Sequence, residues 1–329
     1  MSQPMPRALI LTDGKAGHEN QSRAFARALG CEFDLATVVM GKGAKFMTYW
    51  LDFCLGTLRM MPPWKGAADN AFCLDPRFEE LKSRGYSVVI GTGSGTFFAA
   101  KRTARRLGVK CGVVLYPRGY DLAGFDCILA PAFDRPKKAA NVIEIPANLV
   151  ANDAGFYAQG VAAYRERTSV EPEIAVIVGG PNKCSTMTPE WMKAQLDAIF
   201  ALPGAKAVTT SRRTPPEVEA VVDSYPWDYK LLYSKDHFNP IPAFVQLAKR
   251  LYVTAESTGM LSEACTFGTA EVVALDNLKP GPHKFRRFVE DLRRGAYVDG
   301  KCKVDLSGQF ARARALLGLS TQPERKTPA

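Results

Sequence analysis

Short apolar, β-branched runs alternate with longer helix-like stretches almost from the first residue. In the first half ALILTD, FDLATVVM, YSVVIGTG, CGVVLYP, CILAP and VIEIPA read as strands. After residue 170 the same pattern returns in EIAVIVGG, AVTTS, YKLLYS, RLYVTA and EVVAL. Between them lie NQSRAFARALG, GTFFAAKRTARRLG, TPEWMKAQLDAIFAL, TPPEVEAVVDSY, IPAFVQLAKR and GMLSEACTFG, the first two ended by Gly30 and Gly108 as helix caps. Strand and helix in strict alternation predict an α/β fold with parallel sheets. Two consecutive sets predict two Rossmann-like domains, 1–165 and 166–329, facing a cleft. The polar run YRERTSVEPE (164–173) is the expected linker, and the last helix is expected to pack back on the first domain.

One segment breaks the alternation. GKGAKFMTYWLDFCLGTLRMMPPWKG (41–66) gathers aromatic and Met residues between basic ones. Phe46, Trp50, Phe53, Leu58 and Met61 are the candidates for a surface that lies on anionic lipid or receives an apolar acceptor. A buried helix covering the sheet is the plain alternative.

The length of 329 residues fits two cores better than one, and 47% apolar with 23% charged residues is the balance of a folded chain. A net charge of +10 favours anionic partners, namely nucleotides or a phospholipid surface. Nucleic acid is the least supported of these, because no zinc-finger spacing, helix-turn-helix signature or aromatic RNA motif occurs. Eight scattered cysteines without a C-x-x-C pair suit free thiols in a reducing compartment. No apolar stretch reaches about 18 residues and no signal-like start precedes the first strand, so a cytoplasmic location is expected, with peripheral attachment to the inner membrane as its extension.

Chemistry concentrates where strands end. After the first strand, DGKAGHENQ (13–21) places Gly14 and Gly17, which admit close approach, beside Lys15, a positive charge, and His18, an imidazole able to take up and release a proton. His18 is the candidate general base, and Asp13 either orients it or acts as base itself. Gln21 follows on the helix. GTGSGT (91–96) repeats the strand-then-glycine pattern, and Gly93 and Ser94 are read as tight packing and one wall of a cleft. A nicotinamide-binding reading of that loop lacks the acidic residue that should end the next strand.

In the second half IVGGPNKCST (177–186) sets Gly179, Gly180 and Lys183 before a helix, an arrangement suited to a diphosphate although not a P-loop. TTSRRTP (209–215) adds Ser211 and Arg212. TAESTGMLSEACTFG (254–268) places Ser257, Thr258 and Gly259 at a helix start, with Ser262 and Glu263 one turn in. Small hydroxyls there suit a phosphate, and the carboxylate suits the two hydroxyls of a ribose or sugar. Glu256 stands as a second carboxylate, and His237 and Asn239 are expected to flank the same cleft. No His, Cys and carboxylate cluster has metal spacing.

DGKAGHENQ, GGPNK, TTSRRTP and ESTGMLSEACTFG in that order, followed by HKFRRFVEDL, resemble the mitochondrial-fission ELM family over roughly residues 8–297. The resemblance implies a GT-B-like arrangement, in which an N-terminal domain takes the acceptor and a C-terminal domain the nucleotide-sugar donor. It implies a glycosyltransferase that moves a sugar from a nucleotide-sugar to a lipid-linked or envelope saccharide, with no tightly bound cofactor. A nucleotide-sugar epimerase of the same fold and a non-catalytic adaptor at a membrane surface are the two rival readings.

Overall fold

In the first sheet β1 (Arg7–Thr12), β2 (Glu32–Val39), β4 (Val88–Thr92), β5 (Lys110–Val114), β6 (Cys127–Pro131) and β7 (Val142–Ile145) all run parallel. These are the six strands expected of the first half. A two-residue β3 (Cys73–Leu74), too short to show a period, pairs antiparallel with β2. The order is β3-β2-β1-β4-β5-β6-β7. The computed structural model describes residues 5–40, 44–57, 73–74 and 77–319.

Helices α1 (Ala16–Ala28), α2 (Ala44–Asp52), α3 (Arg77–Leu81) and α4 (Phe97–Leu107) belong to this unit. Leu9 and Leu11 of β1 join Val89, Phe97, Phe98, Val113 and Phe125 in its main core cluster, all buried. Side chains of this size each stabilise the fold by about 1.5–3 kcal/mol through burial. Helix α2 buries one side and exposes an apolar one. Thr48, Leu51 and Asp52 are buried, whereas Phe46 is 81% exposed and Met47, Trp50 and Phe53 are also exposed. Asp52 accepts from Lys101 Nζ (2.6 Å) and from the Asp121 N–H (2.7 Å), so a charged pair anchors the helix below its apolar outer face. Leu58 and Met61 lie outside the described residues.

The second sheet is wholly parallel: β8 (Ile174–Ile177), β9 (Lys206–Thr209), β10 (Tyr229–Leu231), β11 (Arg250–Thr254) and β12 (Glu271–Leu275), in the order β10-β9-β8-β11-β12. Its helices are α5 (Ala154–Arg165), α6 (Pro189–Phe200), α7 (Pro216–Asp223), α8 (Ile241–Leu247), α9 (Thr258–Thr266) and α10 (Lys284–Arg294). Thr188 caps α6 by accepting the Trp191 N–H at 3.2 Å, with Pro189 as the first helical residue. Val176, Met192, Leu196, Val208 and Val218 form the core between this sheet and its helices.

The units divide differently from the expected 1–165 and 166–329. One comprises the chain up to Ile145 and again from Leu306, and the other Pro146–Asp305. The reason lies in α5, whose Tyr164 is fully buried against the rings of Tyr229 and Phe244, while Gly160 abuts Pro242. The run 164–173 is therefore the end of a packed helix and the lead into β8. The last helix, α11 (Ser307–Leu316), packs on β6 and β7 of the first unit, where Arg312 donates to the Ala140 carbonyl at 2.8 Å.

Of the cysteines described, Cys31, Cys54, Cys111, Cys127 and Cys265 are buried free thiols, Cys184 is half-buried and Cys302 is exposed. Among the described residues no helix is long and apolar enough to cross a membrane.

Candidate functional site

In an open parallel sheet, neighbouring strands whose connections leave to opposite sides open a crevice at their C-terminal ends. The first sheet has that point at β1 and β4, since β1 connects to β2 on one side and pairs with β4 on the other. Two loops meet there: Asp13–Lys15, between β1 and α1, and Gly93–Thr96, between β4 and α4.

Their side chains interlock. His18 Nδ1 lies 3.1 Å from both Asp13 Oδ1 and Oδ2, and Lys15 Nζ lies 2.5 Å from Asp13 Oδ2. With Nδ1–H donating to the carboxylate, Nε2 is the acceptor nitrogen of the His18 ring. The Asp13 side chain is 9% exposed, His18 24% and Lys15 66%. Burial pushes the Asp13 carboxyl up, but the hydrogen bond from Lys15 and the charges of His18 and Lys15 outweigh it and hold it below the ordinary carboxylate range.

The glycines of the second loop make this packing possible. A Cβ on Gly93, whose φ is +80°, would run into the His18 ring, and one on Gly95 would come within 2.8 Å of Asp13 Oδ2. Beneath them Ser22 and Thr92 share a buried hydroxyl hydrogen bond of 2.7 Å that ties α1 to β4. The loop read as tight packing is thus the seat of the Asp13–His18 pair. Gly14 and Gly17 are exposed, and Gly17 has open space where a side chain would lie. Ser94 is half-buried beside the pair, and Gln21 sits one turn beyond His18 with its Oε1 buried and unpartnered.

The second sheet has its equivalent point at β8 and β11. Here the centre is Glu256, 2% exposed. Its Oε1 accepts from Thr254 Oγ1 at 3.0 Å, and its Oε2 from Asn277 Nδ2 at 2.7 Å. Burial raises its pKa, and the bonds from Asn277, Thr254 and the Gly180 N–H only partly offset that. Gly179 and Gly180 do not form the open phosphate cradle expected of them. A Cβ on Gly179 would strike Glu256 Oε1, and one on Gly180 would strike the Arg213 carbonyl, so both are places of close chain crossing.

The neighbouring candidates divide. The Ser262 hydroxyl donates to the Thr258 carbonyl at 2.7 Å and accepts the Asn148 N–H at 3.1 Å, and the residue is fully buried. That corrects its assignment as a ligand group. Ser211 accepts the Arg213 N–H and meets Thr214 Oγ1 at 3.2 Å, so it shapes the turn before α7. Ser257 is buried against Glu256, and as the residue before α9 it makes no side-chain cap. Thr258 is half-buried and Gly259 exposed, so the first turn of α9 is accessible. Lys183 and Arg212 are exposed on the two adjoining loops. His237 and Asn239 follow β10 at the sheet edge, with β9 and β8 between that strand and β11.

Glu263 is held by residues the motif analysis does not contain. Its Oε1 accepts from Tyr157 OH at 2.8 Å and from Asn152 Nδ2 at 3.0 Å. Burial raises its pKa, and these two bonds draw it partly back. More than a hundred positions separate Glu263 from both partners, so no local spacing announces them. Among the described residues no group of three or more His, Cys, Asp or Glu could hold a metal ion.

No curated protein matches the chain. Among solved structures it is similar to a UDP-glucosyltransferase from Polygonum tinctorium, at 10% identity over 97% of this chain and 90% of that one, with a TM-score of 0.48. It is similar too to the E. coli ADP-heptose lipopolysaccharide heptosyltransferase II, at 8% identity over 88% and 98%, TM-score 0.47. A third is the UDP-GlcNAc 2-epimerase from Neisseria meningitidis bound to UDP-GlcNAc, at 9% identity over 94% and 96%, TM-score 0.44. Residues 16–301 match the family model described as mitochondrial fission ELM1.

Proposed function

The chain belongs to the mitochondrial fission ELM1 family, and from that premise we propose that it is a glycosyltransferase acting on a nucleotide-sugar, with a lipid-linked or envelope saccharide as acceptor. The observation that supports this best is the Asp13–His18 pair, seated on glycines at the switch point of a parallel sheet with Nδ1 turned to the carboxylate.

In this reading His18 Nε2 takes the proton of an acceptor hydroxyl while Asp13 holds the imidazole in the Nδ1–H tautomer and stabilises the imidazolium that forms. The freed oxygen attacks the anomeric carbon. The C–O bond to the nucleoside diphosphate breaks with its electron pair on the diphosphate, and the anomeric configuration inverts. In the second unit the open first turn of α9 at Thr258 and Gly259, with Lys183 and Arg212 on neighbouring loops, takes the diphosphate charge. Glu263, oriented by Tyr157 and Asn152, takes ribose hydroxyls. The exposed apolar face of α2 is the acceptor or lipid surface, and the site of action is the cytoplasmic face of a membrane.

The test is thermal unfolding of the protein with UDP, GDP, ADP, dTDP and CMP, because a ligand that binds only the folded state raises the midpoint. One nucleotide is expected to give a saturable rise that Glu263→Ala abolishes. With the matching nucleotide-sugar, His18→Ala is then expected to lower turnover by about 10²–10⁴-fold, the usual contribution of a general base. Loss of neither binding nor turnover in the two variants overturns the site.

A further inference from the structure

Among the described residues of the second unit, Phe156 is the one large hydrophobic side chain that stands exposed, at 38%. Its place is beside a partner of Glu263. The Phe156 ring meets the Tyr157 ring edge to face, 5.5 Å between centroids, and the Tyr157 hydroxyl donates to Glu263 Oε1 at 2.8 Å. Tyr157 itself is 2% exposed and stacks on Phe267, the residue that closes α9. We propose that Phe156 is the platform on which the base of the bound nucleotide stacks, a residue that selects ligands carrying a flat aromatic ring. This rests on the nucleotide-sugar reading above.

Helix α9 sets the order of the parts. Glu263 lies about 7.5 Å along the axis from Thr258, and Phe267 about 6 Å further. An extended nucleoside diphosphate presents diphosphate, ribose and base in the same order and over similar lengths. With the diphosphate on the first turn and the ribose on Glu263, the base falls toward the Phe267 end, where Tyr157 and Phe156 stand. The local sequence fixes Phe156 there. Asp153 caps α5 by accepting the Phe156 N–H at 2.9 Å, and one turn on Gly160 abuts Pro242, so the helix that carries the ring is held at both points. Tyr157 covers only part of the phenyl group, and the rest is apolar surface in contact with water. A base that lies on it removes that surface from water at little cost in side-chain freedom, since a phenyl group has two rotatable bonds. Every base has a π-face, so this ring supports affinity for any of them, and the choice among bases falls to other groups. All the residues named belong to the second unit.

Calorimetric titration of the whole protein with UDP, GDP, ADP, dTDP and CMP tests this on four variants. Phe156→Leu keeps apolar bulk without a ring, and Phe156→Ala keeps neither. Both are expected to bind the nucleotide about tenfold or more weakly than the wild type, the scale of a lost base–aromatic stack. Phe156→Tyr and Phe156→Trp keep a ring and are expected to stay within about threefold. In Phe156→Trp the nucleotide is also expected to quench the added indole fluorescence, a signature that a residue with a purely structural role lacks. Because the side chain is exposed, Phe156→Leu is expected to hold the melting midpoint of the nucleotide-free protein within about 2 °C. Full nucleotide affinity in Phe156→Leu overturns the proposal, as does a loss of affinity that comes with a lowered midpoint. Failure here is separable from failure of the function. A nucleotide whose binding needs Glu263 but not the Phe156 ring leaves the transferase reading intact, whereas a wild type that binds none of the five removes both.

Discussion

The imidazole of His18 lies flat against the backbone of Gly93, with a hypothetical Cβ at that position only 2.6 Å from Nδ1. No other residue type fits there without moving the ring. Gly93→Ala is therefore expected to act twice. The φ of +80° costs an alanine about 1–2 kcal/mol, which lowers the melting midpoint by a few degrees. The displaced ring is expected to lower turnover by about 10²-fold, the scale of a misplacement of about 1 Å. Gly17→Ala is the control, since its Cβ meets nothing within 4 Å and its φ is not positive. It is expected to keep activity and to hold or slightly raise the midpoint, since Gly17 lies in α1 where an alanine is favoured, as read by kinetics and scanning calorimetry on the pair.

How far the sequence announces this arrangement depends on the range of the interaction. The eleven longer strands show as apolar runs, and the helix starts as Thr188-Pro189 or a strand-glycine turn, because each rests on neighbours in sequence. Asp13 and His18 are five positions apart and visible together. Their glycine seat is some eighty positions away, and the GTGSGT loop alone reads as tight packing and one wall of a cleft, not as the seat of a histidine. Glu256 with Asn277, and Glu263 with Tyr157 and Asn152, are set by sheet order, which no spacing encodes. The domain border fails for the same reason. YRERTSVEPE has the composition of a linker, but Tyr164 at its head is buried by rings from β10 and α8.

Glu256 and Asp13 make stability depend on pH with opposite signs. Glu256 has a folded-state pKa raised above 4.5, so the folded state holds a proton that the unfolded state has already lost. Its contribution is fully present below 4.5 and is lost as pH rises through the folded value. Asp13 is depressed below 3.8, so its contribution is present above 3.8 and lost as pH falls through the folded value. Glu256→Gln removes the charge that burial penalises, and a turned Asn277 can offer its Oδ1, now buried and unpartnered, to the new amide. This variant is expected to melt higher than the wild type at pH 7 and to lose the decline in stability above pH 4.5. Denaturant unfolding across pH checks it, and a lower midpoint at pH 7 contradicts it.

Tyr157→Phe isolates one of the two donors to Glu263. The phenol OH is 2.8 Å from Oε1, and the ring, stacked with Phe267 at 4.6 Å between centroids, stays in place in the variant. Losing a hydrogen bond to a half-buried carboxylate is expected to cost about 1.5–3 kcal/mol of stability. If Glu263 receives ribose hydroxyls, the variant also loses part of its preference for a ribonucleoside over a 2′-deoxyribonucleoside diphosphate. Calorimetric titration with the two nucleotides measures that ratio, and an unchanged ratio removes Tyr157 from the role of orienting Glu263 toward ligand.

Helix α2 and the turn that Phe53 begins after it separate surface from core, and the two faces answer to different measurements. Leu51 is fully buried, so Leu51→Ala is expected to cost about 2–5 kcal/mol by cavity formation. Phe46 and Phe53, 81% and 50% exposed, contribute little to folding, and their joint replacement by Ser is expected to leave the melting midpoint within about 2 °C. If their face meets lipid, the wild type sediments with vesicles of anionic phospholipid and the Phe46→Ser, Phe53→Ser protein does so at least about tenfold more weakly, since each phenyl withdrawn from an apolar phase forfeits about 1.5–3 kcal/mol. Equal sedimentation of the two proteins assigns binding to the +10 net charge instead of this helix, which rising salt would then abolish. Retained vesicle binding with lost transfer to a soluble acceptor would instead make the face an acceptor platform.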